Sequence, residues 1–240
     1  MLNRLRAWYV RQTFNPGPLG IFVNPFYLAR SALYEAMRQS ASQVSGRLLD
    51  VGCGTQPYRS LFKVSEYVGL EIDTPQARTR NIAVAYYDGG AFPFESDSFD
   101  AVLCNQVLEH VFEPESFLAE IRRVLRPGGR LLLTVPFAWD EHEQPWDYAR
   151  YSSFGLAALL GRNGFRILSH RKLRADASTL FQLGNGYLFK TTRGWPRLLV
   201  RLFTATALAA LSMLGVIAAR ILPDNPDFYL DHVVLAECLT

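Results

Sequence analysis

From Leu48 to Leu173 short apolar runs alternate with stretches of helical pattern, and this alternation restricts the chain more than any other feature. The runs are "RLLDVG", "YVGLEI" from Tyr67, "NIAVAYY" ending before Asp88, "FDAVLCN" from Phe99, "GRLLLTVPF" from Gly129 and "GFRILSHRKL" from Gly164; "FYLDHVVLAECL" alternates like a seventh. All are rich in apolar or β-branched residues and bounded by Gly, Pro, Asn or Asp, as strands are. Between them, Glu113 to Leu125 ("EPESFLAEIRRVL") reads as a helix. Pro114 suits its first turn, the glutamates suit its positive end, and Arg122, Arg123 and Arg126 suit the other. Phe117, Leu118, Ile121, Val124 and Leu125 form its apolar stripe, and Pro127-Gly128-Gly129 ends it. "SSFGLAALLGRNGF" reads as a second helix, capped by Ser152 or Ser153 and closed near Gly164. Strands alternating with helices predict an α/β protein with a parallel, doubly wound sheet, whose ligands bind at the carboxyl ends of the strands.

With 240 residues, nearly half of them apolar, the chain is long enough for one large domain with a substantial core. The net charge of +3 is unevenly spread. Nine basic residues and one acid, Asp176, lie between Arg162 and Arg201, and six arginines face only Glu35 in the first 47 residues. Just over half of the acids lie between Asp88 and Asp147. The basic flanks suit either an anionic partner or a solvated face. Cys53, Cys104 and Cys238 are odd in number and far apart, which argues against a disulfide framework or a structural zinc site and predicts no metal. The N-terminus has no continuous apolar region of the signal-peptide kind, and the expected location is cytoplasmic.

The first predicted strand runs into "LLDVGCGTQPYRSLF". A dinucleotide fingerprint needs G-x-G-x-x-G, and the third glycine falls here on Pro57. That disfavours a nicotinamide-dependent oxidoreductase. No Gly-Lys-Ser/Thr follows, so a phosphate-cradling loop is excluded as well. What remains is a turn built for close backbone approach to a ligand without a pyrophosphate.

Asp50-x-Gly52-x-Gly54 resembles motif I of the class I S-adenosylmethionine-dependent methyltransferases, and the similarity continues downstream in the family's order. "YVGLEI" resembles the second-strand motif that ends in an acid. "YYDGGAFPFESDSFDAVLCNQVLEHV" resembles the third-strand acid, the L-P-F turn and the fourth strand, and "FLAEIRRVLRPGGRLLLTVP" the helix, P-G-G turn and fifth strand. The match spans about Leu48 to Phe165 and is closest in pattern to the type 11 branch. It implies a Rossmann-like, seven-stranded, mostly parallel sheet with helices on both faces, the last strand antiparallel and an apolar helical insertion before it. It implies S-adenosylmethionine as cofactor. Two departures stand out: Gln56 replaces the third glycine of the family's looser G-x-G-x-G, and only "DTPQARTR" separates strands two and three.

The same resemblance assigns roles. Gly52, Cys53 and Gly54 would pass close to the methionine part of the cofactor, with Asp50 orienting either the turn or the ligand amine. Glu71 would accept from both ribose hydroxyls, with Asp73 as its rival. Asp88 and the Gly89 amide would meet the adenine, and Asn105 and Gln106 the methionine side. In-line methyl transfer needs chiefly positioning, and an oxygen acceptor also benefits from a base. The candidates are His110 in "LEHV" and His142 in the loop after strand five, each with an ordinary turn-fixing role as the alternative. That loop, "PFAWDEHEQPWDYARY", offers Trp139, Trp146, Tyr148, Arg150 and Tyr151 as acceptor-binding groups. Its H-x-x-P-x-D-x-x-R-Y-[ST] pattern resembles methyltransferases that occur with bacterial cell-surface polysaccharide biosynthesis, implying a saccharide or lipid-linked acceptor and an O-methyl product.

Leu202 to Ala219 is uncharged for 18 residues and flanked by Arg197, Arg201 and Arg220. Alone it meets the lower limit for a membrane span. The predicted sixth and seventh strands flank it and must pair in one sheet, which excludes a single crossing. The expectation is a hydrophobic helix or hairpin lying on the inner face of a membrane, in a homo-oligomer interface through 197–222, or against the domain itself. The domain reading is therefore an N-terminal helical cap (1–47), a cofactor-binding core (48–175), the apolar insertion (176–226) and the final strand (227–240). A non-catalytic, cofactor-binding, membrane-associated scaffold is the alternative function. Nucleic acid is not expected as a partner, for lack of a recognition motif or an aromatic-basic platform.

Overall fold

The computed structural model describes residues 2–239, with side chains from Leu5 onward. Seven strands make one sheet: β1 (Arg47–Val51), β2 (Glu66–Ile72), β3 (Ala85–Tyr87), β4 (Phe99–Asn105), β5 (Leu125–Pro136), β6 (Phe165–Leu173) and β7 (Asp231–Cys238), in the order β3-β2-β1-β4-β5-β7-β6. Strands β1 to β5 pair in parallel, and the last strand, inserted between β5 and β6, is antiparallel. Strand order reverses at β1 and β4, so the switch point lies where those two strands end, at Val51 and Asn105.

The helices are α1 (Leu2–Phe14), α2 (Tyr27–Ser40), α3 (Pro75–Arg80), α4 (Pro114–Val124), α5 (Ser153–Arg162) and α6 (Ser178–Thr191). The seventh, α7, is continuous over Arg197–Ile221. Its Thr204–Leu208 stretch is wound as a π-helix, where the hydroxyls of Thr204 and Thr206 donate back to the carbonyls of Val200 and Leu202. Helix α4 follows its sequence pattern: Phe117, Leu118, Ile121 and Val124 are buried and Glu115, Arg122 and Arg123 sit at the expected ends. Ser152, rather than Ser153, caps α5, accepting from the Gly155 amide.

Two strands differ in extent from the sequence expectation. Strand β3 keeps only Ala85–Tyr87, because Asn81 closes α3 at φ +50 and residues 81–84 stay outside the ladder. Strand β5 starts at Leu125 rather than Gly129. Leu125 already pairs with Phe99, and the Pro-Gly-Gly segment, with Gly128 at φ +77, is absorbed as an irregularity before Ala101 meets Arg130.

The chain divides into two compact units. The sheet-bearing unit comprises Met37–Phe137, Glu141–Arg171 and the residues from His232 onward. Its core joins Leu49, Val51, Val102, Leu118, Ile121, Leu131, Leu133, Leu156 and Val234 across the strands and helices α4 and α5. A polar strut crosses β6 and β7: His170 Nε2 meets His232 Nδ1 at 2.8 Å, and His232 Nε2 donates to the Tyr151 carbonyl at 2.8 Å. The helical unit comprises the residues up to Ala36, Ala138–Asp140 and Lys172–Asp231. Inside it Gln182 accepts from the Ala29 amide, and Asn185 donates to Ser212 and to the Leu208 carbonyl.

Candidate functional site

The parallel strands β1 to β5 all end on one edge of the sheet, which gathers the turns that follow them. After β1 the chain reverses through three left-handed residues, Gly52 (φ +67), Gly54 (φ +51) and Gln56 (φ +51). The two glycines serve different ends. A Cβ on Gly52 would fall 2.5 Å from Val107 Cγ2, so close packing against the turn after β4 excludes any side chain there. A Cβ on Gly54 would meet nothing within 4 Å; that face of the turn opens outward and is the side a ligand can approach. Gln56, at the place of the family's third glycine, accepts the same backbone conformation. It folds its amide back over Gly69, where a Cβ would come within 2.4 Å of Gln56 Nε2 and 2.8 Å of Cys53 Sγ.

The acids converge on this turn. Glu71, at the end of β2, accepts from the Gly54 amide at 2.7 Å and from the Ile72 amide at 3.1 Å. Its rival Asp73 is taken up by a bidentate pair with Arg78, both contacts at 2.7 Å. Asp50 is buried below the turn and accepts from the Tyr67 hydroxyl at 2.6 Å. Burial pushes its carboxyl up to about 7, against the opposing Tyr67 hydrogen bond and with help from nearby Glu71. The Cys53 thiol is pushed up to about 12, chiefly by burial and then by Asp50 and Glu71. Asp88 is exposed after β3, where it accepts from the Gly90 amide at 3.0 Å. Gly89, at φ +99, faces Ile72 at the end of β2. After β4, Asn105 accepts from the hydroxyl of the fully buried Thr134 at 2.9 Å, and Gln106, at φ +56, donates its amide to the Thr134 carbonyl at 3.0 Å. Thr134, Tyr67 and Val107 carry this geometry, through contacts that the local sequence pattern does not encode.

The two candidate histidines meet although 32 positions separate them. Their rings make an edge-on contact with centroids 4.8 Å apart. The loop after β5 is tied to the turn after β4 by the Tyr148 and Ala149 amides, which donate to the Glu109 carbonyl at 2.8 and 3.2 Å. His110 Nδ1 lies 2.6 Å from the Trp146 carbonyl, an arrangement that requires the proton on Nδ1 and leaves Nε2 as the basic nitrogen. His142 sits over Asp147, which accepts from its amide at 2.9 Å and faces its Nδ1 at 3.3 Å. Arg150 holds Asp147 in a bidentate grip at 2.6 and 2.7 Å. Burial works to raise the Asp147 carboxyl, but these hydrogen bonds outweigh it and hold the group at about 2. Ligand-capable atoms of Glu109, His110 and His142 all lie within 4.8 Å of one another, close enough to share a cation.

The expected acceptor residues are not all brought together. Trp146 and Tyr148 are exposed in the sheet-bearing unit, with Tyr148 edge-on to Phe112 at 5.3 Å. Phe112, 75% exposed, adds an aromatic group the sequence pattern did not single out; its signal was its place two residues after His110. Arg150 serves Asp147, and Tyr151 is half-buried against the core, where burial pushes its hydroxyl up to about 12. Trp139 belongs instead to the helical unit, packed on Phe26 with ring centroids 5.6 Å apart, beside an Asp140–Lys190 ion pair.

Residues 49–133 match the family model described as a methyltransferase domain. A fatty-acid O-methyltransferase of Mycolicibacterium smegmatis is 36% identical over 114 residues, covering 42% of this chain and 41% of that protein. The chain spans about half or less of the length of most curated relatives it matches. Among solved structures, the cyclase SpnF superposes with a TM-score of 0.56 at 22% identity, covering 88% of this chain and 82% of its own. A Haemonchus contortus phosphoethanolamine N-methyltransferase 2, solved with S-adenosylhomocysteine, gives 0.56 at 16% identity, covering 92% of this chain and 56% of its own. These similarities show the fold, and one of the neighbours named carries a different reaction on it.

Proposed function

We propose that this chain, whose residues 49–133 match a methyltransferase domain, uses S-adenosylmethionine to methylate an oxygen of a small-molecule, saccharide or lipid-linked acceptor. The observation that carries the reading is the His110–His142 pair, held with Asp147 beside the strand ends where the glycine turn opens.

The residues of the turn suit such a cofactor. Gly54 leaves room on the ligand side, Asp50 is a buried carboxylate poised to ionise beside a cation, and Glu71 has the acceptor oxygens that ribose hydroxyls need. Asp88 and the Gly89 amide would take the adenine edge, and Asn105 and Gln106 the methionine side. Bound S-adenosylmethionine supplies a methyl group already activated by its sulfonium. The protein then has to position the acceptor and remove a proton. Asp147 and Arg150 both face His142 Nδ1, at 3.3 and 3.4 Å; in the tautomer that donates from Nδ1 to Asp147, Nε2 is the nitrogen that would take the acceptor proton. His110, with its tautomer fixed by the Trp146 carbonyl, stands as the neighbouring relay. Trp146, Tyr148 and Phe112 offer flat apolar faces of the kind that stack on sugar rings or cover an isoprenoid chain. The fatty-acid O-methyltransferase relative supports an oxygen acceptor.

Incubation of the protein with methyl-labelled S-adenosylmethionine and membrane lipid or saccharide extracts is the test. Label should enter one of these fractions, and His142→Ala should lower the rate about 100- to 10,000-fold with cofactor affinity unchanged. Label confined to protein or nucleic acid, or full activity in His142→Ala, would overturn the reading. The Glu109–His110–His142 cluster supports a second one, in which the trio holds a divalent cation that binds the acceptor oxygen; loss of activity with chelator and its return with metal would select it.

A further inference from the structure

The helical unit seals polar side chains beside apolar ones such as Leu28, Leu33 and Leu208. Its sealed positions include Ser178, Thr179, Gln182, Asn185, Thr204 and Ser212, whereas most of the exposed large hydrophobic side chains described in this protein lie on its outside. Helix α7 shows the arrangement along its length. One face, with Thr204, Leu208, Ser212 and Gly215, packs inward: a Cβ on Gly215 would come within 3.0 Å of Phe181 and Leu28. The opposite face presents Leu198 (75% exposed), Leu202, Met213, Ile217 and Ile221 (74% exposed) to solvent. Only 28% of its most apolar window is buried. A helix of a water-soluble core carries its apolar stripe inward. Small and hydrogen-bonding residues between helices with leucines facing out is the arrangement used where the surroundings are lipid.

Charge is matched to that face. Lys190, Arg193, Arg197 and Arg201 follow one another without an acid, and all but Lys190 are exposed. Trp195 is exposed between them, with Tyr187 a short way upstream on α6. Basic side chains next to amphipathic aromatics are the residues that settle at a phospholipid headgroup layer. The exposed face of α1 repeats the theme with Trp8, Tyr9 and Val10 between Arg6 and Arg11.

We propose that the helical unit docks on the surface of an anionic phospholipid bilayer, with the outer face of α7 lying in the plane of the acyl boundary and the Arg193–Arg201 stretch at the phosphates. An in-plane pose follows from topology. At 25 residues α7 is long enough to cross, about 37 Å against a hydrocarbon core of about 30 Å. However, β6 and β7 are neighbours in one sheet, so the chain returns to the side it left, and α6, with 14 residues or about 21 Å, is too short for the other crossing. The inference stands apart from methyl transfer and is read without cofactor.

The test is flotation of the full chain with vesicles of phosphatidylcholine alone or with phosphatidylglycerol. The protein should float with the anionic vesicles and less with neutral ones. Changing Leu198, Leu202 and Ile221 together to glutamine should lower vesicle partition tenfold or more, and changing Arg193, Arg197 and Arg201 to glutamine should remove the preference for phosphatidylglycerol. The substituted positions are exposed, so circular dichroism and melting should match the wild type; if the triple variant melts early, Ile221→Gln alone and quenching of Trp195 by brominated lipid replace it. No flotation of the wild type, equal flotation of the glutamine variants, or a dimer that hides the α7 face and excludes vesicles would overturn the proposal.

Discussion

In the sheet-bearing unit the sealed side chains are Leu49, Val102, Leu118, Leu131 and their like, and of the few buried polar groups, Asp50, Glu109, Thr134 and His232 lie at the candidate site or in the strut, with Ser40 apart from both. In the helical unit the sealed set includes Gln182, Asn185 and Ser212, and leucines face outward. Most of the first unit's buried polarity thus lies around the turns that the proposed function assigns to binding and chemistry. The second uses it to hold helices together, which leaves its apolar residues available to something outside the chain. Apolar side chains therefore fill the first interior almost alone, whereas in the second Leu28, Leu33 and Leu208 share the interior with polar groups while other leucines face outward.

The sharpest way to break this comparison is to remove core volume from the first unit. Leu118→Ala, at a fully buried position, should lower stability by about 2–5 kcal/mol in calorimetric unfolding. In the helical unit the equivalent loss should come from a polar residue. Asn185→Ala removes the donor to Ser212 and should cost about 1–3 kcal/mol, more than truncating any outward leucine. Third in size is an effect of pH. The Asp50 carboxyl is raised from 3.8 to about 7 in the folded protein, so it stabilises the fold below about pH 4, and that stability is lost as pH rises through about 7. A cationic cofactor reverses the preference and favours the ionised acid. Affinity for S-adenosylmethionine should therefore rise about tenfold from pH 6 to pH 8, and Asp50→Asn should flatten the slope in titration calorimetry. The smallest effect is expected for Ile221→Gln, which should change stability in water by less than about 0.5 kcal/mol. A large loss there would mean that the outer face of α7 is held by the protein itself.

What was legible in the sequence and what was not divides along the same line. The glycine turn, the acid at the end of β2, helix α4 and the alternation of strands and helices follow from local patterns, since turn residues and apolar periods report on their own segment; the strand order does not. The resemblance already favoured Glu71 over Asp73; the structure adds that Arg78 holds Asp73, a contact five residues away that no period encodes. The meeting of His110 with His142 depends on two loops joined through the Glu109 carbonyl, and the assignment of Trp139 to the helical unit and Trp146 to the sheet-bearing one depends on contacts no local pattern encodes. For α7 the sequence showed an apolar segment with three possible settings. Which side of it carries the small and polar residues, and what they pack on, is information about neighbours far along the chain.

Cys53 gives the glycine turn one further property. If the turn receives a sulfonium ligand, it places a sulfur atom beside a methylating agent, and a thiolate there would be the strongest nucleophile within reach. Burial and the nearby carboxylates hold the thiol at about 12, so at neutral pH only about one molecule in a hundred thousand would carry the anion. On the proposed function, the turn could thereby keep a polarizable, well-packed side chain close to a methyl donor without that side chain becoming its target.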